Sequence, residues 1–470
     1  MFNEPLSRAA LLWACTSGLP DGTLEGRAMM SPSSKRNARL AKAPPIKARE
    51  AHPERLPALN PEAGDERASV QKADAGTDMR VVVNRRAALR VRDGQPWVYR
   101  SDVVAAHATP GSFVRVVDDR GYVLGTALYS TSSQIAVRMF GLQNGEVRSA
   151  PELLRQRIRE AIHYRERVVR DSNAFRVLFS EADGAPGLIV DKYNDVITLQ
   201  VLTQAMDREE MRSAALAELT EHFAPAGIVE RVDERIRQLE ELPPRSSGLL
   251  HGAKSATEFE MNGLRFRFDA LAGQKTGAFL DQRENYAAAA QYARGEALDV
   301  FCYHGGFALH LSRVCDSVAG VDASRGALEM AEQNEILNRD QWAGREIEWI
   351  EANAFELLRD YSDARRQFDT IVLDPPAFAK TKRNLETAIR GYKELNLRAL
   401  KMLRPGGTLI TCSCSFHVAQ SEFMQMLTDA ARDAHRELRV LETRSQSKDH
   451  PVVLSIPETF YLKCVIAAVR

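Results

Sequence analysis

The chain has 470 residues, with 63 basic and 63 acidic side chains and so a formal net charge of zero. Hydrophobic residues make up 44% and charged residues 27%, a globular balance that excludes a collagen-like, coiled-coil or wholly disordered chain. No run of about 18 apolar residues is present, so no transmembrane helix is expected, and the length predicts roughly two to four domains.

Residues 1–78 are rich in Ala, Pro, Ser, Arg and Glu, with prolines at 32, 44, 45, 53, 57 and 61 and no apolar period between them. They predict a disordered extension, or a start placed upstream of the patterned sequence that begins just after Met79. The apolar run at 9–15 lacks the basic region and cleavage site of a secretory signal. Six cysteines, at 15, 302, 315, 412, 414 and 464, include no CxxC pair. They predict neither a disulfide framework nor a metal site and suit a reducing, cytoplasmic compartment.

From residue 80 short β-rich runs alternate with turn signals. Strands are expected at 81–83, 97–99, 113–117, 122–127 and 135–138, with turns at Asp93-Gly94 and Arg120-Gly121. They predict a small β-barrel over 79–150. Residues 151–170 read as an arginine-rich helix. Strands at 175–180, 187–190 and 196–201, a helix at 207–223 and strands near 227–231, 256–260 and 264–268 follow, an α+β domain over 151–268. Over 269–470, strands at 298–303, 317–321, 347–350, 370–373 and 407–411 alternate with helices, one of them from Gly326. Such alternation predicts an α/β fold with a doubly wound, Rossmann-like parallel sheet.

The strand ends of this last module carry the candidate chemistry. The first runs from Asp299 through Phe301 and Tyr303 into Gly305-Gly306, a turn that lets backbone approach a ligand and is not a GxGxxG. The second ends in Asp322, a carboxylate that serves either ribose hydroxyls of a nucleoside cofactor or the cap of the next helix. The third leads to Asn353, an adenine partner or a capping residue. The fourth ends in Asp374-Pro375-Pro376-Ala377-Phe378, a rigid turn that presents a carboxylate and an aromatic face for a base. The fifth runs into Cys412-Ser413-Cys414, on which alternation places both thiols on one side. They are two packed cysteines, or one of them is a nucleophile, which requires a thiolate.

These loops, in this order, resemble a class I S-adenosylmethionine-dependent methyltransferase. The resemblance extends to one family. Gly273-Gln274-Lys275-Thr276-Gly277-Ala278-Phe279-Leu280-Asp281-Gln282-Arg283 is similar to the GxKTGxxLDQR signature of the large-subunit rRNA methyltransferase I family, which makes 5-methylcytosine in 23S rRNA. The segments at 301–307, 413–415, 449–452, 457–463 and 180–191 match as well, and 79–150 with Trp97 resembles the family's RNA-binding PUA domain. The resemblance covers residues 79–470. It implies S-adenosylmethionine held by Asp299, Phe301, Tyr303, Gly305, Gly306, Asp322, Asn353, Asp374, Gln282 and Lys275. It also implies Cys414 as nucleophile with Asp374 beside it, and Pro375, Pro376, Phe378 and Arg283 on the substrate base. The implied partner is 23S rRNA or its precursor, and the oligomeric state stays open, since an arginine-rich barrel suits either RNA or a second copy of the chain in a homodimer. Three positions depart from the pattern: Cys412 is usually apolar, Asn353 often Asp, and Pro376 stands where many 5-methylcytosine RNA enzymes carry a second cysteine. Methylation of an rRNA guanine at N7 or N2 without a thiol, and a non-catalytic RNA-binding protein, are the alternatives.

The zero net charge is an average. Residues 79–150 hold ten arginines and no lysine against five acids, and 151–180 hold seven arginines against four acids. Residues 181–470 are acidic by nine. A basic module joined to an acidic remainder is expected to face RNA phosphates.

Overall fold

A computed structural model describes residues 79–141, 149–271, 278–342, 346–379 and 381–470. The extension at 1–78 lies outside the described residues, as does Lys275. No helix among the described residues is long and apolar enough to cross a membrane.

The first module is a six-stranded sheet. In chain order it contains β1 (Arg80–Val83), α1 (Arg85–Arg92), β2 (Trp97–Tyr99), β3 (Val103–His107), β4 (Phe113–Asp118), β5 (Val123–Tyr129) and β6 (Ile135–Gly141). The strand order is β2-β6-β5-β4-β1-β3; β1 runs parallel to β4, and the other neighbours are antiparallel. Valines 81, 83, 98, 114, 116 and 137 form its core. Helix α1 was not expected. Asn84 caps it by accepting from Ala87 N at 2.9 Å, and Ala87 and Ala88 close the core beneath arginines that hide the apolar period.

The second sheet follows α2 (Ala150–Val168). Its strands β7 (Ala174–Phe179), β8 (Leu188–Tyr193), β9 (Val196–Val201), β10 (Gly227–Glu230) and β11 (Gly248–Gly252) lie in the order β11-β10-β9-β8-β7. Helices α3 (Glu209–Phe223) and α4 (Glu234–Leu239) flank β10 in sequence. A hairpin of β12 (Ala256–Met261) and β13 (Leu264–Asp269) comes next, turning at Asn262-Gly263 with φ of 53° and 77°, as a two-residue hairpin loop requires. Its inward residues Phe259, Met261, Leu264, Phe266 and Phe268 share a core with Tyr193 and Val196 of the preceding sheet and with Phe307, Leu311 and Trp342, so the hairpin bridges the second and third modules.

That last sheet has seven strands: β14 (Glu296–Val300), β15 (Ser317–Asp322), β16 (Glu348–Glu351), β17 (Phe368–Leu373), β18 (Leu403–Ser413), β19 (Leu438–Arg444) and β20 (Lys463–Val469). Helices α5 (Arg283–Tyr292), α6 (Gly306–Leu311), α7 (Arg325–Asn338), α8 (Ala354–Asp363), α9 (Leu385–Met402) and α10 (Gln420–Asp433) accompany it. The order is β16-β15-β14-β17-β18-β20-β19. The first five strands are parallel, and the order reverses between β14 and β17, which opens a crevice at their carboxyl ends. One strand departs from the expected parallel sheet, β20, and β19 beyond it again runs in the direction of β18. Apolar β20 inserts antiparallel between β18 and β19 because the chain reaches the edge first and returns inward.

Asp449, in the segment before β20, ties the second and third modules together. Arg283 at the start of α5 donates to both of its oxygens at 2.9 and 3.0 Å, with the two residues 1% and 0% exposed. Arg176 N donates to Asp449 Oδ2 at 2.8 Å, and Arg165 Nη2 to its carbonyl at 2.7 Å. Burial opposes the Asp449 charge, but His450 and Arg283 outweigh it and hold the carboxyl well below the usual range. Removing one partner of such a pair strands the other, so Asp449→Ala is expected to lose about 3–5 kcal/mol in urea unfolding. With the folded-state pKa depressed, this contribution is present at neutral pH and is lost as pH falls below about 4.

Candidate active site

The crevice is built from the loop after β14. The expected strand end at 303 falls at Val300, because Phe301 and Tyr303 adopt left-handed backbone with φ of 67° and 50°. Such conformations persist where the surroundings impose them. Here Phe301 N and Cys302 N donate to Val321 O at 2.8 and 3.0 Å, and Tyr303 N donates to Asp322 Oδ2 at 3.0 Å. Asp322 therefore joins two strand ends, and its Oδ1 accepts from Ser324 N at 2.9 Å. Gly305 has φ of 81°. A Cβ there would lie 2.8 Å from Trp349, and one on Gly306 2.5 Å from the Tyr286 ring. Side chains are excluded at both positions, which leaves a backbone cradle at the start of α6.

Asp299 is fully buried. Its Oδ2 accepts from Ala308 N at 2.8 Å, while Oδ1 has no partner among the described residues. Burial pushes this carboxyl well up. Asn353 is exposed and caps α8 by accepting from Phe355 N and Glu356 N at 2.9 and 3.3 Å. Ala278, Phe279, Phe301, Tyr303, His304 and Asp374 are among the residues lining one narrow cleft. The glycine cradle, the unpartnered Asp299 oxygen and the aromatic walls fit a nucleoside sulfonium ligand.

Asp374 closes the cleft from β17. Gln282 Nε2 donates to its Oδ2 at 3.0 Å, and Asn285 Nδ2 donates to Gln282 Oε1 at 2.7 Å. Burial and the nearby Asp281 carboxylate push Asp374 up to about 7. Pro375 and Pro376 follow, and Phe378 lies between Phe355 and Tyr392, with ring centroids at 5.9 and 4.7 Å. Cys414 Sγ is 4.0 Å from Pro375 O. Cys414 is half-buried, whereas Cys302, Cys315, Cys412 and Cys464 are buried. Cys412 pairs in register with Cys464 inside the sheet. Burial, then the charges of Asp374 and Asp281, push the Cys414 thiol up to about 12.

Loop 301–306, Asp322, Gln282, Asp374 and Cys414 are thus gathered around one crevice. Arg283 is not among them: the expectation that it touches substrate is corrected by its buried, bidentate pair with Asp449. Two groups near Cys414 lie in segments that match the family but had no role assigned to them. Asp281 accepts from Tyr461 OH at 2.7 Å, and Lys463 Nζ donates to Ser415 O at 2.6 Å. A lysine opening the apolar run Lys463-Cys464-Val465-Ile466 was the available signal. In the first module, Arg90, Arg92 and Arg138 pair with Asp102, Asp118 and Glu181, so part of the basic surplus is internal. Arg85, Arg86 and Arg120 are exposed. No group of three or more His, Cys, Asp or Glu among the described residues is placed to hold a metal.

Fold and cleft together define an S-adenosylmethionine-dependent methyltransferase joined to a PUA-like domain. The family model described as a PUA-like domain matches residues 81–141, and that described as an S-adenosylmethionine-dependent methyltransferase matches 188–457. SMU.776, a structure described as a methyltransferase complexed with SAH, superposes with a TM-score of 0.70 at 17% identity, covering 83% of this chain and 100% of that one. Ribosomal RNA large subunit methyltransferase I of Shewanella amazonensis is 38% identical over 384 residues, 80% of this chain and 95% of the relative. The protein of the same name from Vibrio parahaemolyticus is 36% identical over 381 residues, 79% and 95%. The chain belongs to the ribosomal RNA large subunit methyltransferase I family. S-adenosylmethionine is its cofactor.

Two outcomes follow from the cleft. Gly306→Ala overpacks the Tyr286 contact by about 1–3 kcal/mol, and calorimetry is expected to show S-adenosylhomocysteine binding about tenfold weaker or more. Asp374 keeps its proton to a higher pH when folded than when unfolded, so its effect on stability turns unfavourable as pH rises from about 4 to 7. Asp374→Asn removes that loss, and its melting temperature relative to wild type is expected to rise between pH 5 and pH 8.

Proposed function

We propose that the chain methylates C5 of a cytosine in large-subunit ribosomal RNA through a covalent Cys414 adduct. The observation that carries this reading is the half-buried Cys414 thiol, set at the Asp374-Pro375 turn while the other described cysteines are buried in the core. The relatives' names support rRNA as substrate. The PUA-like match and the exposed Arg85, Arg86 and Arg120 support an RNA-facing first module.

C5 of cytosine is a weak nucleophile. S-adenosylmethionine, held along loop 301–306 and Asp322, supplies an electrophilic methyl group on its sulfonium. The Cys414 thiolate adds to C6, forming the S–C6 bond and making C5 enamine-like. Asp374, poised near 7, donates its carboxyl proton toward the N3 edge and takes up the charge that develops there. Once C5 carries the methyl group, its proton passes to a base from solvent, the S–C6 bond breaks with its electron pair returning to sulfur, and Asp374 recovers the proton shared with N3. Pro375, Pro376 and Phe378 wall the space for a base turned out of its stack.

The thiol pushed up to about 12 favours a second reading, guanine methylation at N7 or N2 without a nucleophile. Cys414→Ala separates the two. Mass mapping of rRNA methylated by that variant is expected to show 5-methylcytosine reduced on the order of a thousandfold or more. Formation at the wild-type rate overturns the covalent reading, and methylguanine in its place establishes the second.

A further inference from the structure

We propose that Lys463 is a positioning residue for Cys414, its ammonium being the counter-charge against which the thiolate forms. The inference rests on the reading of Cys414 as nucleophile. Lys463 opens β20 directly across from Ser413 at the end of β18, and it is 1% exposed. Its Nζ donates to two main-chain carbonyls, Ser415 O at 2.6 Å and Tyr461 O at 2.8 Å. Carbonyls satisfy N–H groups but do not neutralise a charge. Among the described residues no carboxylate forms an ion pair with this nitrogen. A buried ammonium without a counter-ion is costly, and buried charges are ordinarily paired. Burial pushes Lys463 down to about 8, and the nearby Cys414 works against that fall.

The carbonyl that holds Nζ belongs to the residue after Cys414, one peptide along the chain from the thiol. The groups facing Cys414 differ in sign. Asp374, from the end of β17, and Asp281, from the segment before α5, disfavour a thiolate, and Lys463 is the side chain that favours it. The phenols of Tyr392 and Tyr461 also face the thiol; both are held neutral by burial and engaged with Ser415 Oγ and Asp281. Glu422, in α10, is a second negative group that favours the Lys463 charge. In the step itself the S–H bond breaks, its electron pair stays on sulfur, and the proton passes to hydroxide or buffer base from solvent. Lys463 keeps its protons throughout. A base that fills the cleft expels water and strengthens the attraction between ammonium and sulfur.

The test measures alkylation of Cys414 by iodoacetamide in the full chain from pH 7 to 10, read at the Cys414 peptide by mass spectrometry. Lys463→Met removes a buried charge. Lys463→Gln also keeps a donor for the two carbonyls, so a lost tether is distinguished from a lost charge. Both are expected to slow alkylation about tenfold at pH 7, where Lys463 is charged, with the gap closing as pH rises past about 8. Lys463→Arg, which keeps the charge, is expected to restore the wild-type profile. Unmoved profiles in folded Lys463→Met and Lys463→Gln overturn the role of Lys463 while leaving Cys414 as nucleophile. Methylation by Cys414→Ala removes the underlying reading instead.

Discussion

The buried pair between Arg283 and Asp449 anchors the segment that carries Asp281 and Gln282 into the cleft. It is almost wholly shielded from water, and Asp449 also accepts from the backbone of Arg176 in the neighbouring sheet. Arg283 ends a run of three side chains with three different partners. Asp281 accepts from Tyr461, Gln282 donates to Asp374, and Arg283 grips Asp449. A shift of the pair would carry Gln282 away from Asp374 and change the charge around Cys414. Such a network is retained through geometry more than through net stability, since desolvation of its charges offsets much of the Coulomb attraction.

Within that frame the cleft balances charges of opposite sign. Two carboxylates and low exposure disfavour a free thiolate at rest, and the same conditions keep a proton on Asp374 near neutral pH. A proton on Asp374 removes the nearest negative charge from the thiol and readies a donor for the substrate. The buried cation at Lys463 opposes the remaining carboxylate. Reactivity at Cys414 is thereby tied to occupation of the cleft, where expelled water makes each of these terms larger.

The class of the catalytic module was legible because its signals are local. Apolar runs alternate with helices, and the glycine turn, Asp322, Asp374-Pro375-Pro376 and Cys414 each sit at a strand end. Cleft residues distant in sequence could be gathered because a parallel sheet brings carboxyl ends together. What escaped depends on long-range packing. Nothing in the sequence around Arg283 tells that its partner lies 166 residues away. The antiparallel entry of β20 is invisible in an apolar run that suits either direction. Helix α1 was hidden by its arginines, three of the first module's arginines proved to be paired, and Asn353 took the capping role left open for it. Lys463 lay in a matched segment without a role, because its burial and its two carbonyl partners follow from the tertiary packing.

The covalent route is tested most directly with a large-subunit rRNA fragment carrying 5-fluorocytosine, incubated with the full chain and S-adenosylmethionine. Fluorine cannot leave C5 as a proton does, so the S–C6 bond cannot be released. A denaturant-stable protein–RNA adduct mapping to Cys414, and absent from Cys414→Ala, is the expected result. Methylation of unsubstituted rRNA by the same preparation, with no adduct on the fluorinated fragment, would contradict covalent catalysis at Cys414.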